Sequence, residues 1–336
     1  MYKNNDFIYD AVVRFEEITS IPVEVESRRK EYDALLTIKD IQFVAEAKAE
    51  IRASNKGIIL SEVNHLKRQT HRPIIVIAKY LAVDIASEFK KLGINYIDIA
   101  GNTFIKEGNL FVFTSGQKAE KISKTKQTRA FQEAGIKLIF NLLMKPDNLQ
   151  CSYRELAEIT DISIGSVSNV MKELEELNYI LKTNTKRILK NIPSLLNRWI
   201  IAYNEVLHPR IYRKRMRFLN IEDYRNWDTL PIQNIEDINL WGGEPAAAIL
   251  TGQLQPEKLL IYTSGNWQSI ASDLKLIPDE KGEVEILFMF WKEEDRYRKK
   301  SITPALLVYA DLIGSGYERN TQIAKIILEN ELQYIK

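Results

Sequence analysis

Between residues 152 and 190 the apolar positions fall twice at helical spacing and then switch to a short alternating ribbon. In the first run, residues 153–159, Leu156, Ala157 and Ile159 share a face. The segment TDISIG breaks the pattern, and Ser163 takes the N-cap position of a second helix that reaches about Asn178. There Val167, Val170, Met171, Leu174 and Leu177 recur at three- and four-residue steps, which predicts one buried stripe. The opposite side carries Gly165, Ser166, Ser168, Asn169 and Lys172. Strands at 179–182 and 187–190 are expected around a polar turn of Thr183, Asn184 and Thr185, with Lys182, Lys186, Arg187 and Lys190 on the ribbon. Helix, break, helix and basic ribbon in this order predict a winged helix-turn-helix.

Upstream, short β-branched runs alternate with helical ones. Strands are expected at LLTI, FVAEA, RPIIVIA (72–78), INYIDIA (94–100) and LFVF (110–113). Helices are expected at 7–18, at 61–69 with Ser61 as N-cap, and at 83–92 with Gly93 just past the end. A further helix over 130–144 stops at Pro146 and leads into the helix-turn-helix. Beyond Pro193 come a helix with Leu195, Leu196, Trp199, Ile200 and Tyr203, strands at 259–263 and 284–291, and two closing helices from Pro304. Gly242 and Gly243 are expected to turn the chain into a helix over 244–250. The reading is a multidomain α/β chain: an α/β domain over 1–120, a winged helix-turn-helix over 125–191, and an α+β C-terminal domain over 193–336.

Charge sharpens this picture. The net charge is only +2, yet residues 118–217 hold 19 Lys and Arg against 10 Asp and Glu. The cations gather at 118–129, in the ribbon and at 210–217, so they bracket the helix-turn-helix. Short polar side chains and a lysine on a helix suit base edges and phosphates in a major groove, and a basic wing suits the backbone beside it. Double-stranded DNA is therefore the expected partner; protein docking is the other use of such a fold. The single Cys151 forms no internal disulfide, and the scattered His65, His71 and His208 do not make a structural zinc site. No membrane span or signal peptide is evident, and a cytoplasmic location is expected. Trp199, Trp227, Trp241, Trp267 and Trp291 are scattered and not interleaved with cations, as core residues would be.

The first domain carries a second candidate chemistry. If Lys39 and Asp40 form a two-residue hairpin turn, Ala34 faces Ala45, Leu36 faces Phe43 and Ile38 faces Ile41 on one apolar side. Asp33 then lies opposite Glu46 on the other side, with Lys48 two residues on, facing Glu31. Paired carboxylates repel, and a divalent cation relieves them. The alternative is a solvated face on which Lys48 pairs with Glu31 or Glu46.

Asp33, Glu46 and Lys48 in this arrangement resemble the PD-(D/E)xK motif of the restriction-endonuclease-like fold. The resemblance implies a Mg²⁺ ion on Asp33 and Glu46 and a catalytic Lys48 that positions the attacking water. The whole chain resembles the AbiEi-type antitoxins and transcriptional regulators of type IV toxin–antitoxin systems. RPIIVIAKYL, the segment 94–102, the helix-turn-helix, LWGGEPAAAILTG (240–252) and LLVYADLIGSGYERNTQIA (306–324) carry that likeness. It implies repression of the protein's own operon and a nucleotidyltransferase-class partner toxin, countered without a stable complex. Symmetric operators would make the regulator a homodimer. Three readings follow: a DNA-binding regulator and antitoxin, a Mg²⁺-dependent DNA endonuclease delivered by its winged helix, and an interaction module acting through the C-terminal domain. Asp311 and Arg319 are left either as a salt bridge or as a ligand site.

Overall fold

The computed structural model describes residues 6–26, 32–117, 129–183, 185–233, 237–292 and 299–335. The basic segment 118–128, Glu31 and Asn184 lie outside them. The chain divides into two compact units, Met1–Lys126 and Gln127–Lys336.

The first unit is a seven-stranded sheet in the order β1-β2-β3-β4-β5-β6-β7. Its strands are β1 Val23–Glu26, β2 Ala34–Ile38, β3 Ile41–Ile51, β4 Ile74–Leu81, β5 Asn95–Asp98, β6 Thr103–Glu107 and β7 Leu110–Thr114. Only β3, β4 and β5 run parallel, because the helices α2 (Lys56–Thr70) and α3 (Val83–Lys91) supply the crossovers between them. Both faces are covered. Ile8, Ala11, Val12 and Phe15 of α1 (Asp6–Thr19) pack on Leu36, Phe43, Ala45, Ile75 and Ile77. Ile59, Val63, Leu66, Ile85 and Phe89 pack on Val44, Val76, Ala78 and Tyr96. Successive strand residues point to opposite sides, so β4, buried on both, reads as the unbroken apolar run IIVIA.

The β2–β3 register pairs Ala34 with Ala45, Leu36 with Phe43 and Ile38 with Ile41, as the hairpin rule predicts. Lys39 enters the turn at φ 54°. Three expectations are corrected. Strand β3 runs on to Ile51, well past FVAEA. Helix α2 begins at Lys56, so Ser61 lies inside it. The turn before it is tied by Asn55, which accepts from Arg52 N–H at 2.9 Å and donates to the Glu50 carbonyl at 2.9 Å. Strands β1 and β6 went unanticipated, the first being four residues of alternating Val and Glu at a sheet edge.

The second unit joins the helix-turn-helix to a five-stranded sheet. Helix α4 (Glu133–Met144) is apolar nearly all round and accordingly buried, with Ile136, Leu138, Ile139, Phe140, Leu142 and Leu143 all inside. It precedes α5 (Tyr153–Thr160), α6 (Ile164–Glu176) and the ribbon of β8 (Ile180–Lys182) and β9 (Arg187–Leu189). Helix α7 (Ile192–Ala202) then fastens the two parts together. Its Trp199 indole donates to the Ile136 carbonyl at 2.9 Å and stacks on Phe140, whose ring meets Phe290 from the sheet region at 5.2 Å.

After α7 come a π turn at Tyr203–Leu207, α8 (His208–Ile211), β10 (Tyr212–Phe218), α9 (Ile221–Arg225), β11 (Asn239–Gly242), α10 (Gly243–Thr251), β12 (Leu259–Thr263), α11 (Trp267–Asp273), β13 (Leu276–Pro278) and β14 (Val284–Phe288). The sheet order is β11-β12-β14-β10-β13, with β12 and β14 parallel. β14 stops at Phe288, three residues short of expectation. The closing helices are α12 (Ala305–Gly314) and α13 (Glu318–Asn330). Trp199, Trp227 and Trp241 are buried, in keeping with core use.

His208 lies edge-on to the Tyr203 ring, and desolvation pushes its imidazole down to about 4. A folded-state value below the unfolded one means that the unfolded chain takes up the proton first. This contribution is complete above about pH 6.5 and is lost as the pH falls towards 4. The stability advantage of wild type over His208→Gln should therefore shrink on acidification across that window, by on the order of 2 kcal/mol after allowance for partial exposure. Denaturant titrations of both proteins at several pH values measure it; a constant gap would refute the assignment.

Candidate nucleic-acid interface

Helix α5 opens with a reciprocal cap: Ser152 N–H donates to Glu155 Oε2 at 2.7 Å and Glu155 N–H to Ser152 Oγ at 3.3 Å. The backbone hydrogen bond from Ser152 also holds the Glu155 carboxyl below its ordinary pKa. Asp161, at φ 52°, ends α5 in the left-handed region and turns the chain into α6. Ser163 caps α6, its Oγ accepting from Ser166 N–H at 3.1 Å and lying 2.9 Å from Ser166 Oγ.

Val167, Val170, Met171 and Leu174 are buried, while Leu177 is only partly so. On the far side Gly165, Ser168, Asn169 and Lys172 are exposed, and Ser166 is half-buried between the two. Ile164, 48% exposed at the head of the same helix, is an apolar member of this face that periodicity did not single out.

The ribbon pairs Lys182 with Arg187 and Ile180 with Leu189. Its turn is closed by Thr183, whose hydroxyl donates to the Lys186 carbonyl at 2.8 Å and accepts from Lys186 N–H at 3.0 Å. Lys182 and Lys186 are exposed; Lys190 is half-buried. Arg187 is turned the other way. Its guanidinium donates to the carbonyls of Leu149 (3.0 Å) and Cys151 (3.3 Å) and lies over the Tyr153 ring. Gln150 completes the anchor, donating to the Arg187 carbonyl at 2.7 Å and accepting its N–H at 3.1 Å. Arg187 thus stitches the ribbon to the base of α5.

In the first unit, Glu46 and Lys48 share the sheet face covered by α2. Lys48 Nζ sits 2.7 Å from Glu46 Oε1 and 2.7 Å from Glu62 Oε2 of α2. Burial works to lower the Lys48 pKa, but the two carboxylates outweigh it and hold the ammonium above its ordinary value. Burial raises the Glu46 carboxyl, with Lys48 opposing and Glu62 adding to the rise. Asp33 Oδ2 accepts from Ala47 N–H at 3.0 Å. The face is therefore neither solvated nor free. Glu62, absent from the three-residue motif, is its fourth charged member, and no group of three or more His, Cys, Asp or Glu among the described residues is placed to hold a metal.

The C-terminal pair separates. Asp311 accepts from Tyr203 (2.8 Å), Tyr262 (2.9 Å) and Gly243 N–H (3.2 Å) in full burial. Arg319 instead pairs with Glu244 (2.8 Å) and Glu257 (2.7 Å). A Cβ at Gly242 would lie 2.5 Å from the Tyr262 ring, so the Trp-Gly-Gly turn is shaped by this network.

An N-capped helix with an exposed polar face beside an anchored basic ribbon defines a winged-helix DNA-binding protein, and residues 137–180 match the family model described as winged helix-turn-helix DNA-binding. Residues 187–335 match the family described as transcriptional regulator, AbiEi antitoxin, type IV toxin–antitoxin system. The protein is a DNA-binding transcriptional regulator that resembles the type IV toxin–antitoxin antitoxins over residues 187–335. No curated protein and no solved structure matches the chain. No helix among the described residues is long and apolar enough to cross a membrane.

Proposed function

We propose that α6 enters the major groove of the protein's own operator and that the ribbon tip holds the flanking phosphates. Gly165, Ser166, Ser168, Asn169 and Lys172 face the bases, with Ser163 fixing the start of the helix. Lys182 and Lys186 take the backbone, while Arg187 keeps the wing in place and Lys190 lies at its root. The observation that carries this reading is the juxtaposition of an exposed polar face on α6 with two exposed lysines on an anchored ribbon. Repression of an operon that encodes a nucleotidyltransferase toxin, and action as a homodimer on a symmetric site, complete the proposal. In this scheme residues 125–191 read DNA and residues 193–336 serve the antitoxin role.

Asn169 is the side chain best suited to a bidentate contact with an adenine. Asn169→Ala should lower discrimination between operator and scrambled DNA by about 1–3 kcal/mol while leaving non-specific binding alone. Competition binding with the two duplexes reads this directly. An equal loss on both would remove Asn169 from base recognition.

A second reading rests on the predicted Asp33, Glu46 and Lys48 constellation, which the hairpin register and the crowding of carboxylates around Glu46 favour. The hard oxygen donors of Asp33 and Glu46 suit Mg²⁺, though Lys48 would have to leave Glu46 to admit it. A restriction-endonuclease-like first unit of this kind would nick plasmid in Mg²⁺ or Mn²⁺ and lose that activity in Lys48→Ala. Intact DNA with both proteins would refute catalysis and leave the cluster as a buried ion-pair network.

A further inference from the structure

The described residues of the second unit include nine glycines, and eight of them have a reason inside the fold. Three take a left-handed φ, and at the other five an added Cβ would lie 2.5 Å or less from a neighbouring atom. Gly165 has neither reason. It stands in the first turn of α6 with ordinary helical backbone, and the nearest atom that a Cβ would meet is Ser163 Oγ at 3.9 Å. Alanine would fit there and would remove the extra freedom that glycine gives the unfolded chain. Folding therefore does not require this glycine; close approach of a ligand to the helix backbone does.

Ile164, the residue before it, is a second and independent observation. It is 48% exposed on a helix whose other aliphatic side chains, Val167, Val170 and Leu174, are buried. One turn on, Ile164 and Gly165 are followed by the exposed Ser168 and Asn169, so a branched aliphatic side chain and a bare stretch of backbone head an otherwise polar face. In the major groove the apolar group on a base edge is the 5-methyl of thymine. We propose that Ile164 reads the 5-methyl group of a thymine in the operator, and that Gly165 is where the duplex comes closest to the α6 backbone. Asn169 lies five residues beyond Ile164, about 7.5 Å along the helix axis, which places this thymine roughly two base-pair steps from the base that Asn169 contacts. The inference rests on the reading of α6 as the helix in the major groove.

The test is competition binding of the full chain to its promoter duplex, with each thymine of the bound site exchanged singly for deoxyuridine, which removes only the 5-methyl group. Wild type should lose about fourfold in affinity at one thymine position, the worth of one buried methyl group. Ile164→Ala should bind the thymine and deoxyuridine duplexes equally at that position and respond like wild type at the others. Gly165→Ala should bind the operator at least tenfold more weakly, although its thermal transition is raised by about 1–4 °C. Residues with a purely structural role would move stability and binding in the same direction. The proposal is overturned if no exchange separates wild type from folded Ile164→Ala, or if folded Gly165→Ala binds as tightly as wild type. Either result, with wild type still shifting its operator, leaves the major-groove reading standing; a wild type that shifts no operator removes both.

Discussion

Replacing Lys182 and Lys186 together by alanine should weaken DNA binding about 60-fold at 0.1 M salt, equally on operator and unrelated duplex. The magnitude follows from counterion release. Each phosphate contact contributes about 0.9 to the slope of log K against log salt, so two lost contacts lower the slope by about 1.8 and the affinity by that power of the salt concentration. Both lysine side chains are exposed and make no ion pair or hydrogen bond among the described residues, and alanine keeps the backbone bonds of the ribbon, so the thermal transition of the double variant should match wild type. Arg187→Ala should behave differently. Its guanidinium bonds to the Leu149 and Cys151 carbonyls, so its loss should loosen the ribbon and lower stability as well as binding. Salt titrations of the three proteins separate the cases; a double variant that discriminates between sequences less well, with an unaltered slope, would show that the ribbon tip is not on the phosphates.

The second large effect is expected far from DNA. Asp311→Ala should destabilise the second unit by about 4 kcal/mol, since it strands three buried donors, Tyr203, Tyr262 and the Gly243 N–H, at roughly 1–1.5 kcal/mol each. The same carboxyl predicts a pH signature. Burial pushes it up to about 7, against the hydrogen bonds that favour the ionised form. A folded-state pKa above the unfolded one contributes stability that is complete below about pH 4 and is lost as the pH rises through 7. His208 acts in the opposite sense at the acid end, so the Asp311 term is read from the difference between wild type and Asp311→Asn. Wild type should lose ground to Asp311→Asn as the pH rises from 4 to 7. Denaturant unfolding of the full chain measures both effects, with two transitions expected from the two compact units and only the second displaced. A parallel pair of pH profiles would mean that the carboxyl titrates normally.

Local patterns made the two halves of the account legible to different degrees. The β2–β3 register could be counted from a two-residue turn because cross-strand partners follow from chain position alone, and the α6 stripe followed from the 3.6-residue period in the same way. Ser163 as N-cap is a local signal too. What failed to show was long-range. Arg187 looked like a phosphate ligand because its partners at Leu149 and Cys151 lie 36–38 residues upstream. Glu62 escaped notice because nothing in a helical stretch announces which strand residue it will cross. Asp311 and Arg319, eight residues apart, suggested a pair, yet the end of α12 sends one into the Tyr203 and Tyr262 hydroxyls and α13 carries the other to Glu244. Short edge elements such as β1 carry too few residues for periodicity to register.

The central claim, that α6 and its ribbon bind the protein's own operator, is tested most directly by a mobility-shift titration of the full chain against its promoter across a salt series. The account predicts saturable binding at low salt, a linear fall of log K with log salt, and a preference over scrambled duplex of about 1,000-fold or more. Absence of any shifted complex at low salt would contradict it.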